Sequence, residues 1–540
     1  MNYTSNQYYT GTMEFSSTPW ILIFPGLMAS VIATLVIRKL PTNPESNSFP
    51  LPPGPKPWPF IGCIYQVLRH KPTFRWIQKV MDEMNSEIAC IRICGVHVIP
   101  VTSPELAREF LKKQDTIFSN RPICMSAEIG GGGYLTTILA PLGDHYKKMK
   151  RIVVSSVLST AKHHWLHNKR IEEADHIVSY VYNQCKDSAN GGLVNLRIAA
   201  RHYCGNVVRR MFFNKRFFGK GMEDGGPGAE EVEHIEALFT ILEHLYSFSI
   251  SDFVPWLRIL DLDGHEKILR TAVASTQKYH DPEIEKRAQM WENGLKDEED
   301  DLLDVLIRLK DGSGRPTLTT EEIKAQITEL MLATVDNPSN AVEWAMAEML
   351  NQPELLAKAT EELDTIVGRH RLVQESDLPQ LKYLKACIKE AFRLHPFAPF
   401  NVPHVSTQET IVADYFIPKG SHVILSRPGL GRNPRIWEDA LKYKPERHLK
   451  DMDECKMDLN DPELNMFAFS TGRRGCPGVQ LGSTLSVMLL ARLLQCFTWK
   501  IPSGLSRICL IESGNGLTPA TPLIAVAKPR LAISLAMKNV

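Results

Sequence analysis

The stretch that decides the fold is Phe469-Ser-Thr-Gly472-Arg-Arg474-Gly-Cys476-Pro-Gly478, late in a chain of 540 residues. A cysteine between glycine and proline, with further glycines outside them, can hold its sulfur clear of its own backbone. Nearby amide N–H groups can then face the sulfur and lower the basicity of a thiolate that binds a metal. The ordinary alternative is a buried free cysteine in a turn.

Two neighbouring segments favour the first interpretation. Residues 481–497 are apolar on nearly every face, which predicts a buried helix whose N-terminal dipole faces the thiolate. Upstream, Glu390 and Arg393 have the spacing that places a carboxylate and a guanidinium on one helix face. Arg447 is available to complete a charged triad, which we assign to folding rather than to catalysis.

The signature residues point to one protein family. Phe469, Gly472, Arg474, Cys476 and Gly478 together resemble the haem-binding motif of the cytochrome P450 superfamily. The resemblance implies a mainly α fold with small β-sheets, haem b (iron protoporphyrin IX) as the cofactor and Cys476 as the metal ligand. Phe469 and Gly478 are then expected to contribute to cofactor binding.

The haem propionates require cations or hydrogen-bond donors. The resemblance assigns this role to Arg474, to His404 and to a helix at 146–151. Where the superfamily usually has tryptophan and arginine four positions apart, this chain has Tyr146 and Lys150, which supply a donor and a cation without a bidentate fork. The basic residues of this helix are either a solvated face or a docking site for an acidic electron-donor protein.

The most diagnostic stretch for the branch of the family is Ala333-Thr-Val-Asp336-Asn337-Pro338. Asp336 keeps the acidic position of the superfamily's distal helix, whereas Asn337 replaces the threonine that normally helps to deliver protons. Pro338 removes a backbone donor and is expected to kink the helix. The resemblance therefore makes Asp336 and Asn337 the expected catalytic residues.

Together with residues 401–406 and 445–448, this stretch resembles the plant amino-acid N-monooxygenases, over essentially residues 51–540. That group makes aldoximes by two N-hydroxylations of an L-amino acid, followed by loss of water and carbon dioxide, as in glucosinolate or cyanogenic glucoside biosynthesis. Its electrons come from NADPH through a flavoprotein, NADPH–cytochrome reductase. A hydrophobic substrate is expected to lie against Ala333, Val335, Phe400 and Leu517.

Other functions remain open on the sequence alone. A carbon-hydroxylating monooxygenase of a terpenoid or phenolic would share every motif except the pair Asn337-Pro338. A haem isomerase or dehydratase would need neither reductase nor dioxygen, and a haem-binding scaffold would turn nothing over. Product analysis with and without NADPH separates these possibilities.

The N-terminal segment is typical of a membrane anchor. Residues 20–37 carry no charge and are nearly long enough, as a helix, to cross the hydrocarbon layer. Residues 1–19 contain no basic residue, whereas Arg38 and Lys39 follow the apolar stretch directly, which predicts a cytosolic catalytic domain. We expect a luminal segment 1–19, a single-pass anchor 20–37 in the endoplasmic reticulum membrane, a basic and proline-rich hinge 38–60, and a haem-thiolate domain 61–540.

The overall composition excludes several other classes. Lys and Arg total 62 against 61 for Asp and Glu, and a net charge of +1 gives no broad field that would attract nucleic acid. The 11 cysteines form no CxxC pair, so neither a disulfide framework nor a zinc ribbon is indicated. Nucleic acid is therefore not an expected partner, whereas the resemblance implies NADPH–cytochrome reductase and a small-molecule amino-acid substrate, and the apolar segment 20–37 implies membrane lipid.

Helical periodicity dominates the rest of the chain. Residues 319–350 predict a long helix with a capping box at Thr319 and Glu322, which ends before Pro353. Strand-like pieces are short and lie at 88–96, 98–102 and 423–425. Pro100 in the second piece predicts an edge strand, because proline cannot donate to a sheet.

Overall fold

The computed structural model describes residues 49–186, 191–451 and 456–531. The chain divides into an N-terminal unit, residues 1–50, and a second unit, Leu51–Val540. The segment predicted to be luminal, the predicted anchor at 20–37 and the first part of the predicted hinge lie outside the described residues. The fold described below is that of the second unit.

Helices dominate the described residues, and the predicted mainly α class with small sheets is confirmed. The α-helices are α1 (Ile64–Arg69), α2 (Thr73–Glu83), α3 (Pro104–Arg108), α4 (Met125–Gly130), α5 (Asp144–Ile152), α6 (Thr160–Trp165), α7 (His167–Lys186), α8 (Leu196–Phe213), α9 (Ala229–His244), α10 (Ile250–Phe253), α11 (His265–Glu292), α12 (Leu302–Arg308), α13 (Thr320–Asn351), α14 (Pro353–Ile366), α15 (Lys382–Leu394), α16 (Arg427–Gly431) and α17 (Val479–Cys496). Short 3₁₀ helices cover Pro255–Leu260, Leu378–Gln380 and Pro445–Asp451, and π-helical turns cover Glu109–Lys113 and Val153–Val157.

The strands form three small sheets. They are β1 (Ile91–Ile93), β2 (Val96–Val101), β3 (Leu193–Asn195), β4 (His404–Val405), β5 (Thr410–Val412), β6 (Tyr415–Ile417), β7 (His422–Leu425), β8 (Phe497–Lys500) and β9 (Ile524–Pro529). The strand orders are β1-β2-β7-β4, β3-β9-β8 and β5-β6, and all pairs are antiparallel except the parallel pair β2–β7.

The prediction that Pro100 marks an edge strand is wrong. β2 lies between β1 and β7, so it is an interior strand of its sheet. Pro100 is accommodated because it lies beyond the last β1 pair, Ile91 with Val98. Its carbonyl still accepts a hydrogen bond from Ala89 N at 3.2 Å. Only its position in the pairing register, which the sequence does not reveal, makes the missing N–H tolerable.

The proline-rich segment at 51–59 packs against the same sheet. The Pro53 carbonyl accepts a hydrogen bond from Cys90 N at 2.8 Å. A Cβ added at Gly54 would lie 1.9 Å from the Cys90 carbonyl oxygen, so no larger residue fits there. This part of the predicted hinge therefore belongs to the folded second unit.

Helix α13 passes through the largest hydrophobic core and carries the distal residues. It begins at the predicted capping box, in which Glu322 N donates to Thr319 Oγ1 at 3.2 Å and Thr319 N donates to Glu322 Oε2 at 2.8 Å. It ends before Pro353, as predicted, and is continuous through Pro338, where the expected kink stays a prediction. Because Pro338 has no N–H, the Thr334 carbonyl lacks its usual helical donor.

Helix α17, which follows the cysteine motif, is a core helix, and the prediction of a buried helix there is confirmed. Among the described residues, this helix is long and apolar enough to cross a membrane, but 83% of it is buried inside the protein. It packs against α13, α14 and α15. A helix that is apolar on all sides is stable in water only when other elements surround it.

A buried charge network attaches α15 to the turn Pro445–Asp451. Arg393 donates to the two carboxylate oxygens of Glu390 at 2.8 and 2.7 Å, and Arg447 Nε donates to one of them at 3.0 Å. His448 Nε2 lies 2.8 Å from Glu390 Oε2. The three residues predicted as a triad thus lie in one network, to which the structure adds His448.

Candidate active site

The cysteine loop is held by its own backbone. Cys476 N donates to the Phe469 carbonyl at 2.9 Å, and Gly478 N donates to Cys476 Sγ at 3.3 Å. Gly472 adopts a φ of +73°, and a Cβ there would lie 2.5 Å from the Leu111 carbonyl oxygen. The glycines therefore permit a tight turn that directs an amide N–H at the sulfur, as the sequence predicted.

The Cys476 sulfur has the surroundings of a metal ligand. Its side chain is exposed, yet burial by the surrounding protein raises the pKa of its thiol. A thiol with a raised pKa is a poor free nucleophile, whereas a bound metal cation deprotonates a coordinating thiol outright.

Two buried arginines lie close together near this loop. Arg474 donates to the carbonyls of Ser119, Thr137 and Ala140 at 2.7, 3.3 and 2.8 Å. Arg121 donates to the carbonyls of Ile138, Val402 and Pro403 at 3.0, 3.0 and 2.8 Å. Burial, and then the charge of Arg474, lowers the pKa of Arg121 to about 9, so Arg121 remains charged at neutral pH, and burial also lowers the pKa of Arg474. Neither forms an ion pair with a described residue.

His404, a predicted propionate ligand, lies beside these arginines. Its Nδ1 lies 2.7 Å from the Phe118 carbonyl, so Nδ1 carries the proton in the neutral ring. Burial, and then the charges of Arg121 and Arg474, holds the pKa of His404 well below its ordinary value. In this form Nε2 accepts hydrogen bonds, and it would donate to a carboxylate only after the ring is protonated.

Tyr146 and Lys150 of α5 converge on one atom of the cysteine loop. Tyr146 donates its hydroxyl to the Arg473 carbonyl at 2.6 Å, and Lys150 Nζ donates to the same oxygen. The Tyr146 ring also lies under the Arg474 guanidinium, 3.6 Å from the ring centroid. In this arrangement both side chains support the loop and orient Arg474, and their predicted role as propionate ligands stays a prediction.

These residues fit a haem. Cys476 supplies one soft ligand with a directed N–H donor, and Arg121 and Arg474 form a buried positive cluster in which neither has an ion pair with a described residue, although the buried Glu329 carboxylate acts on both at longer range. Two buried guanidinium groups are costly unless anions accompany them, and a porphyrin brings two propionates on one edge. Bound against Cys476, haem would supply the iron that activates dioxygen.

Asp336 lies on α13 in a buried position, and the structure gives its carboxylate no hydrogen-bond partner among the described residues. Burial raises its pKa to about 7, although the charges of Arg201 and Arg427 oppose this shift. A carboxyl group whose pKa lies near neutrality can both hold and release a proton. Asp336 is therefore suited to the proton-transfer role predicted for it.

Asn337 turns back onto its own helix. Its Nδ2 donates to the Ala333 carbonyl at 3.1 Å, while its Oδ1 is buried without a hydrogen-bond partner in the described residues. Asn340, one turn further along, has neither amide atom satisfied. Residues three apart are neighbours on a helix surface, so these unsatisfied amides form a polar patch beside Pro338 that suits ordered water.

The four predicted substrate-pocket residues differ in exposure. Ala333 and Phe400 are partly accessible, whereas Val335 and Leu517 are almost completely buried. Val335 lies two positions from Ala333 and so belongs to another face of α13, inside the helical core. The contact of these four residues with a substrate stays a prediction.

Three buried charged residues near the site were not found from the sequence. Arg121 contacts carbonyls 281 and 282 positions away, and Arg427, at the start of α16, contacts that of Phe467, 40 positions away. Glu329 accepts Thr137 N and Ile138 N at 3.0 and 2.8 Å, which fixes the loop that also binds both arginines of the cluster. In the sequence, Glu329 is marked only as an acidic residue among the apolar residues of α13, which does not reveal the loop that it binds.

Comparisons with known proteins agree with this geometry. The cytochrome P450 family model matches residues 52–525. Valine N-monooxygenase 1 from Manihot esculenta is 57% identical over 95% of this chain and 94% of that protein. Isoleucine N-monooxygenase 1 from Lotus japonicus is 55% identical over 96% and 97%, and phenylalanine N-monooxygenase from Arabidopsis thaliana is 54% identical over 96% and 98%. With this similarity and its cysteine loop, the chain belongs to the cytochrome P450 family, whose members are haem-thiolate monooxygenases that receive electrons from a reductase.

Proposed function

We propose that this enzyme hydroxylates the amino nitrogen of an apolar L-amino acid twice and releases the corresponding aldoxime. The similar proteins named above are N-monooxygenases of valine, isoleucine and phenylalanine, all with apolar side chains. The sequence Asp336-Asn337-Pro338 on α13 agrees with this assignment. Each turnover consumes two molecules of dioxygen and two of NADPH, and it releases carbon dioxide and three molecules of water with the oxime.

The observation that carries the proposal is the conformation of Asn337. Its amide nitrogen donates a hydrogen bond to the Ala333 carbonyl. Unlike a hydroxyl group, an amide does not readily accept a proton and pass one on. Proton delivery then depends on Asp336, whose pKa lies near 7, and on water beside the substrate. A zwitterionic substrate can order that water, which explains why coupling would require an amino acid.

The test is reconstitution of the full-length enzyme with NADPH–cytochrome reductase in membranes, followed by a panel of L-amino acids. Oximes are detected by mass spectrometry, and NADPH consumption is recorded in parallel. One or more apolar amino acids should give oxime, and the corresponding amine without a carboxyl group should give little product and much hydrogen peroxide. Absence of oxime from every amino acid contradicts the proposal.

A second variant tests the role assigned to Asn337. The substitution Asn337→Thr should leave the haem spectrum unchanged but lower the oxime formed per NADPH. Thr334→Ser, on the same helix, is the control, because its hydroxyl still reaches the Leu330 carbonyl, as that of Thr334 does at 2.7 Å. If Asn337→Thr formed as much oxime per NADPH as the unaltered enzyme, Asn337 would not have the role in proton delivery that supports the proposal.

The same assay separates the rival functions. A carbon hydroxylase would oxidise terpenoids or phenolics as well as any amino acid, with NADPH. A haem isomerase or dehydratase would convert its substrate without NADPH or reductase. Either result would replace the amino-acid proposal.

We also propose that residues 20–37 anchor the enzyme in the endoplasmic reticulum membrane with the catalytic domain in the cytosol. The described part of the chain adds one supporting feature, an exposed apolar surface at the 3₁₀ helix Pro255–Leu260. Trp256 and Ile259 are 77% and 90% exposed, and Leu262 follows at 58%. A patch of this kind is typical of a surface that contacts lipid.

A further inference from the structure

Arg427 is a buried cation in the site with few interactions of its own. It is the first residue of α16 and is 8% exposed. Its guanidinium lies 3.9 Å from the centroid of the Phe397 ring and 4.8 Å from that of Phe467. The two hydrogen bonds it makes, to the carbonyls of Phe400 and Phe467, are long, at 3.3 and 3.4 Å.

These contacts leave most of its capacity unused. A guanidinium carries five N–H donors in a planar fork that matches a carboxylate. The structure gives Arg427 no ion pair with a described residue, and its Nη2 has no hydrogen-bond partner in the described part of the chain. A buried charge in this state is costly, which indicates that an anion completes the arrangement.

The position of Arg427 links it to the reacting region. The charges that act on it are those of Asp336, on the distal helix, and of Cys476, the predicted iron ligand. Its backbone neighbour Phe400 is one of the two partly accessible residues of the predicted pocket. Its hydrogen bonds to the carbonyls of Phe400, beside the predicted pocket, and of Phe467, two residues before the cysteine loop, place Arg427 next to the expected reacting region.

The haem propionates do not need this arginine. Arg121 and Arg474 are held by one loop, since they donate to the carbonyls of Ile138 and of Thr137 and Ala140, whereas Arg427 donates to those of Phe400 and Phe467. Because both propionates extend from one edge of the porphyrin, the cluster of Arg121 and Arg474 can accommodate both. Arg427 shares none of these carbonyls and is available for a different anion.

We propose that Arg427 binds the α-carboxylate of the amino-acid substrate and so determines the substrate class. The inference rests on the proposed N-monooxygenase function and names the group that recognises its substrate. With the carboxylate held at Arg427 and Asp336 nearby, the site has one positive and one negative group, as a zwitterion requires. A neutral terpenoid or phenolic would leave Arg427 buried without a partner.

The test compares holoenzymes that carry Arg427→Gln and Arg427→Lys with the unaltered enzyme. The probes are the L-amino acid that the unaltered enzyme converts best and the amine that lacks its carboxyl group. Dissociation constants come from the substrate-induced change in haem absorption and, independently, from equilibrium dialysis of labelled probe. Arg435→Gln, the same substitution at an exposed residue paired with Glu87, is the matched control.

Arg427→Gln should weaken binding of the amino acid by about 30-fold or more, because one partner of a buried charge pair is removed. Binding of the amine should stay weak and unchanged, since it has no carboxylate to lose. Arg427→Lys should give an intermediate affinity, because it keeps the charge without the fork. Arg435→Gln should behave as the unaltered enzyme.

Three results would overturn the inference. An unchanged dissociation constant for the amino acid in Arg427→Gln would show that the carboxylate is bound elsewhere. Loss of haem from both variants, measured as the absorbance of the reduced carbon monoxide complex, would assign Arg427 to a haem propionate. Equal loss of affinity for amino acid and amine would indicate a structural role. If the unaltered enzyme forms oxime but one of these three results is found, only the inference about Arg427 fails. If the unaltered enzyme forms no oxime, the proposed function itself fails.

Discussion

The network around Glu390 provides the sharpest prediction about stability. Both carboxylate oxygens are occupied by Arg393, and Arg447, His448 and the Lys444 N–H add further bonds at 3.0, 2.8 and 2.8 Å. The side chains of Glu390 and Arg393 are both 0% exposed. The substitution Glu390→Gln keeps the shape of the side chain but removes its charge, which leaves Arg393 buried without an anionic partner.

Two independent estimates give the magnitude. Breaking a buried ion pair by removing one charge costs about 3–5 kcal/mol. Burial alone would raise the pKa of Glu390, but hydrogen bonds from Arg393 and His448 overcome this effect and lower the pKa from 4.5 to about 2. That shift corresponds to about 3 kcal/mol of stability. Because the folded-state pKa is depressed, this contribution is complete above pH 4.5 and is lost as the pH falls towards 2.

The assay is urea unfolding of the holoenzyme at pH 7.5, followed by far-ultraviolet circular dichroism. Glu390→Gln should lower the free energy of unfolding by about 3 kcal/mol or more. Glu83→Gln is the control, because Glu83 and Lys79 form an exposed pair at 3.6 Å with side chains 63% and 72% exposed. Its loss should cost less than about 1 kcal/mol. The structural role of the network would be refuted if both substitutions lowered the free energy of unfolding equally. It would also be refuted if Glu390→Gln lost as much stability as the unaltered enzyme when the pH falls from 4.5 towards 2.

Three further predictions concern the ligand, the anchor and the distal acid. The reduced carbon monoxide complex should show the red-shifted Soret band of a thiolate-ligated haem, and Cys476→His should abolish it; a surviving band excludes Cys476 as the ligand. Protein lacking residues 1–39 should bind haem and be released by alkaline carbonate, so its full retention in the integral membrane fraction would contradict a single anchor. Burial raises the pKa of Asp336 from 3.8 to about 7, so its ionisation destabilises the fold progressively between these values. The gain in stability of Asp336→Asn over the unaltered enzyme should therefore be larger at pH 8 than at pH 5. Thermal unfolding of both proteins at the two pH values tests this.

Much of the site could be predicted from the sequence, because its signals are local. The glycines and the proline around Cys476 act within a single turn, so the direction of a backbone N–H at the sulfur could be expected before the fold was known. The capping box at Thr319 and Glu322 likewise operates across three residues. Helix α17 could be recognised as buried because its apolar residues cover every face, whatever its neighbours are.

The tertiary structure alone decided how distant charges meet. Arg474 reaches the carbonyl of Ser119, 355 positions away, and Arg121 reaches that of Pro403, 282 positions away. Arg121 carries no periodic or spacing signal, and the motif that marks Arg474 does not reveal which carbonyls it binds, since a guanidinium that binds backbone carbonyls needs no particular partner residue. The same limit explains Arg427, whose surroundings combine three separate segments, and Pro100, whose tolerance depends on strand register. Side-chain pattern determines what a segment forms, whereas the packing of segments determines which buried charges are left to bind a cofactor or a substrate.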